Sequence, residues 1–296
     1  VNMAATSAGA GDARPCGRHH RREAFTSHPD QVFVYYLEET DGMRESGNLS
    51  LEVSFDGGRN PFWTWEEDGL LCFRTRALET VHSDGTEGAW LCGAVKVCAE
   101  ENRAVLYLAM EVWTEEKNAG EKAWQQVKAR VCQGMAGYTR LRERHVQDIA
   151  AFMGRQRLWL GKKEKGEEAK TAGTLLEEVR SGGDNRHLTE LMYQYGRYLL
   201  LSSSRQDSPL PAHLQGVWND DVACQIGWTC DMHLDINTQM NYWISEPGNL
   251  GECHEPLFRW MEQCLVPNGR LTARNCYGYD GWVGELVSNA WGYAAP

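Results

Sequence analysis

Ala104-Val105-Leu106-Tyr107-Leu108-Ala109-Met110-Glu111-Val112-Trp113 is rich in β-branched and aromatic residues and reads as a strand. Just beyond it the spacing changes. Apolar residues fall at Trp124, Val127 and Val131, then at Tyr138, Leu141, His145, Ile149 and Phe152. Intervals of three and four mark amphipathic helices, and Gly134 and Gly137 mark a break between two of them. Upstream, Gln31–Leu37, Leu49–Phe55, Leu70–Arg74 and Trp90–Cys98 read as further short strands, with Asp56-Gly57-Gly58 as one of the turns. Short strands separated by turns predict a β-sandwich over residues 25–113. Downstream, Asp184 is the expected N-cap of a helix whose buried stripe is Leu188, Leu191, Met192, Tyr195 and Leu199. More helices are expected to start near Thr238 and Glu255. Strands followed by helices imply an α+β chain of domains in series, not βαβ units. Residues 1–24, rich in Ala, Gly, Ser and Arg without periodicity, are expected to be a disordered tail.

Composition narrows the classes. A chain of 296 residues, 42% hydrophobic and 24% charged, is neither disordered nor fibrous. A net charge of -11 argues against a nucleic-acid surface, and the basic cluster Arg18–Arg22 is read as part of the tail. The ten cysteines form no CxxC pair, which argues against a zinc ribbon or redox motif; they read as free, buried small hydrophobes in a reducing compartment. No signal-peptide h-region and no bilayer-length apolar run is seen, so the expectation is a cytoplasmic protein with no membrane partner, a secreted parent with a lost leader being the alternative. GxSxG, HExxH and Walker A motifs are absent, and nothing asks for a metal or a cofactor.

One stretch carries chemistry. Met232-His233-Leu234-Asp235-Ile236-Asn237-Thr238-Gln239-Met240-Asn241-Tyr242-Trp243 crowds a histidine, a carboxylate and three amides against an aromatic pair. If extended, His233, Asp235 and Asn237 share one face, with polar heads for sugar hydroxyls and flat rings for a pyranose. The other reading is that Asp235 and Asn237 cap the next helix. Spacing leaves both open. Asp220, Asp221, Asp231, Glu246 and Glu252 are the other acid-base candidates.

Several blocks, taken together and in order, are familiar: Tyr193-Gln194-Tyr195-Gly196-Arg197-Tyr198-Leu199-Leu200, Ser202-Ser203-Ser204-Arg205, Leu214-Gln215-Gly216-Val217-Trp218-Asn219, His233–Trp243, Cys253-His254-Glu255-Pro256-Leu257 and Trp291-Gly292-Tyr293-Ala294-Ala295-Pro296. They resemble glycoside hydrolase family 95, the inverting α-L-fucosidases, which also holds α-L-galactosidases. Ala24–Val32 and Thr80–Thr86 are similar to that family's N-terminal β domain. The resemblance implies a β-sandwich, a helical linker over 114–182 and the first part of an (α/α)6 barrel over 183–296. It implies that Asn237 and Asp235 hold the attacking water and that His233 touches the sugar. Trp218, Asn219, Trp228 and Trp291 are the candidate substrate-binding residues around them. The implied substrate is a fucosylated oligosaccharide with a terminal, α-1,2-type linkage. An α-L-galactosidase and a non-catalytic carbohydrate-binding derivative are the alternatives.

This chain departs from the family pattern in three ways. Asp235 stands where many members have asparagine. Glu285 stands where relatives usually show histidine before the Trp-Gly block. The family's general acid, a glutamate in a Ser-Pro-Glu-Asn-like motif, and the carboxylate assisting the asparagines have no match here. The chain therefore reads as a fragment of a longer enzyme, inactive alone, with exposed helix faces that favour homo-oligomers.

Overall fold

The β-branched and aromatic run Gln31–Leu37 becomes a strand, and seven others join it in the first half of the chain: β1 (Asn2–Thr6), β2 (His20–Ser27), β3 (Val32–Glu39), β4 (Ser50–Ser54), β5 (Phe62–Glu67), β6 (Leu70–Leu78), β7 (Gly88–Ala99) and β8 (Arg103–Trp113). The structure is a computed structural model that describes residues 2–6, 20–39, 50–55, 60–78, 88–100, 102–114, 118–135, 137–162, 166, 170–218 and 231–296. Six strands form an antiparallel sheet in the order β2-β3-β8-β7-β6-β5, and β1 pairs with β4 in a separate ribbon. The β5–β6 hairpin closes on Asp68 and Gly69, both at positive φ (53° and 69°), the backbone that a two-residue hairpin turn requires.

The period of two along each strand makes two faces. One buries Phe25, Val34, Tyr36, Cys72, Ala94 and Tyr107 beneath α1 (Ala119–Gly134) and α2 (Tyr138–Met153), which contribute Ala123, Val127, Val131 and Leu141. The other buries Phe73, Val95, Leu106 and Leu108, against which Val53 and Phe55 pack. Among the described residues, this part of the chain contributes Val53 and Phe55 to that layer, and β1 with β4 is a two-stranded ribbon and not a second large sheet.

The chain divides into units Val1–Ile149 and Ala150–Pro296. Two differences from the sequence reading follow. Helix α1 and the start of α2, placed in the linker by resemblance, bury their stripe in the sheet's own core. Two strands also fall within residues 1–24. Asn2–Thr6 pairs with Ser50–Ser54, and β2 begins at His20, pairing with Glu39. Side-chain composition argues for a tail, but a ribbon is closed by backbone N–H and C=O groups that every residue carries.

The second unit contains α3 (Ala172–Arg180), α4 (Arg186–Ser203), β9 (Met232–His233), α5 (Asn237–Tyr242), α6 (Glu255–Trp260), α7 (Val266–Thr272) and β10 (Val287–Ser288), with π-turns Met261–Leu265 and Ala273–Tyr277 continuing α6 and α7. A sheet-rich first half followed by helices is the predicted α+β order. Helix α4 is capped one residue later than expected: Asn185 is extended, and its Oδ1 accepts the Leu188 N–H at 2.9 Å. Its buried stripe also differs. Leu188 is buried, but Leu191, Met192 and Tyr195 are exposed, while His187, Glu190 and Arg197 turn inward. The reason is hydrogen bonding. Fully buried Arg197 donates to the carbonyls of Phe152 (2.9 Å), Met153 (3.0 Å), Gln156 (2.8 Å) and Gly248 (2.8 Å), and to Gln194 Oε1 (2.9 Å). Phe152 and Met153 end α2, where unpaired carbonyls favour a cation.

The cysteines split. Cys72, Cys92 and Cys253 are buried, and desolvation pushes each thiol up to about 11, as expected of inert core residues. Cys132 and Cys276 are exposed, contrary to the reading of the set as buried. Cys16, Cys224 and Cys230 lie outside the described residues.

Candidate active site

The central segment is placed by a short ribbon. β9 pairs antiparallel with β10, His233 opposite Val287 and Met232 opposite Ser288, and the Leu234 N–H extends the pairing to the Leu286 carbonyl at 2.8 Å. His233 is buried, with Nε2 2.8 Å from Asp231 Oδ1. Asp231 is itself fixed, because its carbonyl accepts the Leu214 N–H at 2.9 Å. Burial pushes the His213 pKa down, against the opposing charge of Asp231.

After His233 the backbone turns. Ile236 has φ 82°, a left-handed conformation that a β-branched residue adopts at a cost of about 1–3 kcal/mol. Local bonds hold it there: Met240 N–H donates to the Ile236 carbonyl at 2.8 Å, and Gln239 Nε2 donates to the Leu234 carbonyl at 2.7 Å. The two-residue strand therefore gives way to helix α5 within one turn. Neither sequence reading of Asp235 and Asn237 describes this. They do not share an extended face with His233, since the strand stops at His233. Nor do they cap α5, since its N-cap is Ile236 and no side-chain cap bond forms. Both residues are exposed, one on either side of the strained residue in sequence, while His233 is buried.

The aromatic pair separates in role. Tyr242 is buried; its hydroxyl lies 2.8 Å from Ser204 Oγ and accepts the Ala212 N–H at 2.8 Å, while Ser204 donates to the Cys253 carbonyl at 2.8 Å. Burial raises the Tyr242 pKa. It is a core strut and not a wall for sugar. Trp243 is 60% exposed and remains available. Asn241 also works locally, its Nδ2 donating to the His213 carbonyl at 2.8 Å. That bond ties α5 to the His213–Gly216 bridge, and Gly216 leads into Trp218. A side chain at Gly216 (φ 72°) would press on the Trp218 ring, which is 44% exposed.

Trp291 stands on a second scaffold. Asn289 Oδ1 accepts the N–H groups of Trp291 (3.0 Å) and Tyr293 (3.2 Å), the Trp260 indole donates to the Asn289 carbonyl (3.1 Å), and Asn268 Nδ2 donates to the carbonyls of Trp291 and Gly292. Trp291 is 48% exposed. Asn219 and Trp228 lie outside the described residues. Glu285 accepts the Tyr277 hydroxyl at 2.8 Å, and that bond leads the upward shift of the Tyr277 pKa.

One further group was not singled out as a unit from sequence. The His254 ring stacks on Tyr242 (5.0 Å, 8°) and Phe258 (4.5 Å, 18°), and its Nδ1 lies 2.6 Å from Glu246 Oε1 and 3.0 Å from Ser245 Oγ. Burial pushes the Glu246 pKa up, but bonds from His254 and Ser245 outweigh it and hold the carboxyl below its usual range. Both partners use the same ring nitrogen, so the trio anchors the loop. Among the described residues, no group of three or more His, Cys, Asp or Glu could hold a metal ion, and no helix is long and apolar enough to cross a membrane.

Residues 137–296 match the glycosyl hydrolase family 95 catalytic domain. The chain is 45% identical over 161 residues to a protein from Arabidopsis thaliana named alpha-L-fucosidase 2, covering 54% of this chain and 19% of that protein. It is 31% identical over 296 residues to a probable alpha-fucosidase A from Aspergillus niger, covering 93% of this chain and 37% of the relative. A probable alpha-fucosidase A from Aspergillus oryzae is 38% identical over 157 residues, 21% of its length. The chain thus spans well under half of the lengths of these relatives. The matched domain takes in every described element of the site, from Arg197 through the strained turn to the Trp291 scaffold, and the chain belongs to glycosyl hydrolase family 95.

Proposed function

We propose that the protein serves hydrolysis of terminal α-L-fucosyl linkages, of α-1,2 type, on fucosylated oligosaccharides, with inversion at the anomeric carbon. The observation that carries this reading is the turn at Ile236. It presents Asp235 and Asn237, exposed, around a strained residue, directly after buried His233, inside the family 95 match. Backbone strain held by surrounding bonds gathers at functional sites. The relatives' names supply the sugar.

In this proposal Asn237 and Asp235 hold the attacking water on the face opposite the leaving group. The Asp235 carboxylate, where an amide is usual, accepts a proton from that water. Asp231 fixes the His233 imidazole against the sugar, and Trp218, Trp243 and Trp291 offer apolar ring faces. Within the second unit, residues 183–296 are then the first part of an (α/α)6 barrel. No residue here matches the family's acid motif, so departure of a sugar leaving group lacks general acid catalysis, a factor of about 10²–10⁴. The buried thiols are in keeping with a reducing, cytoplasmic setting.

Ligand-observed NMR tests the sugar assignment. L-fucose and 2'-fucosyllactose are expected to take up saturation from the protein. Asn237→Ala, an exposed and structurally mild change, and His233→Ala are each expected to abolish it. No transfer to fucose, or transfer unchanged in both variants, overturns the reading. Stronger transfer to L-galactose than to fucose would move the assignment to α-L-galactosides, which carry a hydroxymethyl where fucose has a methyl.

A further inference from the structure

The first unit carries a stack of rings and guanidinium groups that the glycosidase chemistry does not use. On one sheet face Trp63 of β5 lies opposite Arg74 of β6, Arg76 of β6 opposite Trp90 of β7, and Trp90 opposite Trp113 of β8. Ring centroids are 6.0 Å apart for Trp63–Trp90 and 6.2 Å for Trp90–Trp113, the latter pair within 14° of parallel. The Arg74 guanidinium lies 5.2 Å from the Trp63 centroid and 5.1 Å from that of Trp90, and Arg76 lies 5.1 Å from Trp90.

Cross-strand cation–π stacking stabilises a sheet by itself. Two features go beyond that role. The stack ends on the edge strand β5, where Trp63 is 44% exposed, and Arg74 beside it is exposed as well. Arg74 also carries a positive charge on a chain of net charge -11, and among the described residues the carboxylate in its own row, Glu111, is paired with Arg130. A flat indole offers an apolar platform to the C–H face of a pyranose. A guanidinium beside the rings offers paired donors to a carboxylate or sulfate. Solvent-facing Trp63 next to Arg74 combines the two.

We propose that this strip binds an anionic saccharide, a sugar bearing carboxylate or sulfate, stacked on Trp63 with its anionic group on Arg74. The site lies wholly within the first unit and does not depend on the fucosidase reading.

Titration of the full 296-residue chain by calorimetry tests it with three probes: a galacturonic acid oligomer, a sulfated galactose oligomer and a neutral cello-oligosaccharide. At least one acidic oligomer is expected to bind, more weakly as salt is raised, and which one binds separates carboxylate from sulfate. The neutral oligomer is expected not to bind. Trp63→Ala and Arg74→Gln are each expected to weaken binding about tenfold or more. Both positions are exposed, and unchanged far-UV circular dichroism would establish that the variants fold; if Trp63→Ala does not fold, Trp63→Phe and Arg74→Gln carry the test. Absence of binding to both acidic oligomers, equal binding of the neutral one, or affinity unchanged in folded variants overturns the proposal.

Discussion

Replacing Arg197 by methionine is expected to lower the stability of the second unit by about 3–5 kcal/mol. Arg197 is completely buried and satisfies four backbone carbonyls and one side-chain amide oxygen. Methionine fills much of the volume but donates nothing, so those acceptors are left in a dry interior, each at about 1–3 kcal/mol. The sum overstates the loss, because the variant is also relieved of burying a cation. Lysine keeps the charge but presents three donors on one nitrogen, where Arg197 uses three separate nitrogens to meet five acceptors. Arg197→Lys is therefore expected to fall between methionine and the parent. Denaturant unfolding followed by circular dichroism measures both. A methionine variant within 1 kcal/mol of the parent would show that the guanidinium is not the post that it is taken to be.

Gly292→Ala is expected to cost about 3 kcal/mol, a fall in melting temperature of about 6–12 °C for a unit of this size. Gly292 has φ 74°, and a Cβ there would overlap the backbone and Cβ of Cys264 in the π-turn Met261–Leu265. Two costs add: the left-handed backbone, about 1–2 kcal/mol for a residue with a Cβ, and the displacement of packed backbone. Gly278 separates them. It has nearly the same φ, 71°, but nothing within 4 Å of its virtual Cβ. Gly278→Ala should therefore show the backbone term alone. If the two alanine variants melt together, the packing of the Trp-Gly block against Cys264 contributes nothing measurable.

Much of the fold was legible where periodicity and burial agree. Runs of β-branched and aromatic residues over Gln31–Leu37, Leu70–Arg74, Trp90–Cys98 and Ala104–Trp113 gave four strands of the sheet, and the change of spacing after Trp113 located α1 and α2. Strand β5 was missed: Phe62-Trp63-Thr64-Trp65 is a short edge strand with two of these residues exposed. The stripe of α4 was misassigned for a deeper reason. Counting apolar residues placed Met192 and Tyr195 inside, yet the groups that pull the helix in are the carbonyls around Arg197, and no side-chain pattern records where carbonyls converge.

The site divides in the same way. Motif order located the turn between His233 and Asn237, the Trp218 loop and the Trp291 block. The geometry of the turn was not legible, because a β-branched residue at positive φ is what local preference disfavours, and the bonds from Met240 and Gln239 that hold Ile236 there are not written in its own sequence neighbourhood's propensities. Tyr242 looked like a sugar platform because its hydroxyl partners, Ser204 and Ala212, lie at least 30 residues upstream.

The most direct test of the central claim, that Asp235 and Asn237 activate water against a fucosyl carbon, uses α-L-fucosyl fluoride. Fluoride departs without being protonated, so its release reports the water side of the reaction alone. The protein is expected to speed fluoride release above the buffer rate and to form β-L-fucose first, read by proton NMR. Asn237→Ala should lose a factor of about 10²–10⁴, and 2'-fucosyllactose should be cleaved far more slowly under the same conditions. Fluoride release no faster than in buffer, or equally fast in the Asn237→Ala variant, would contradict the assignment.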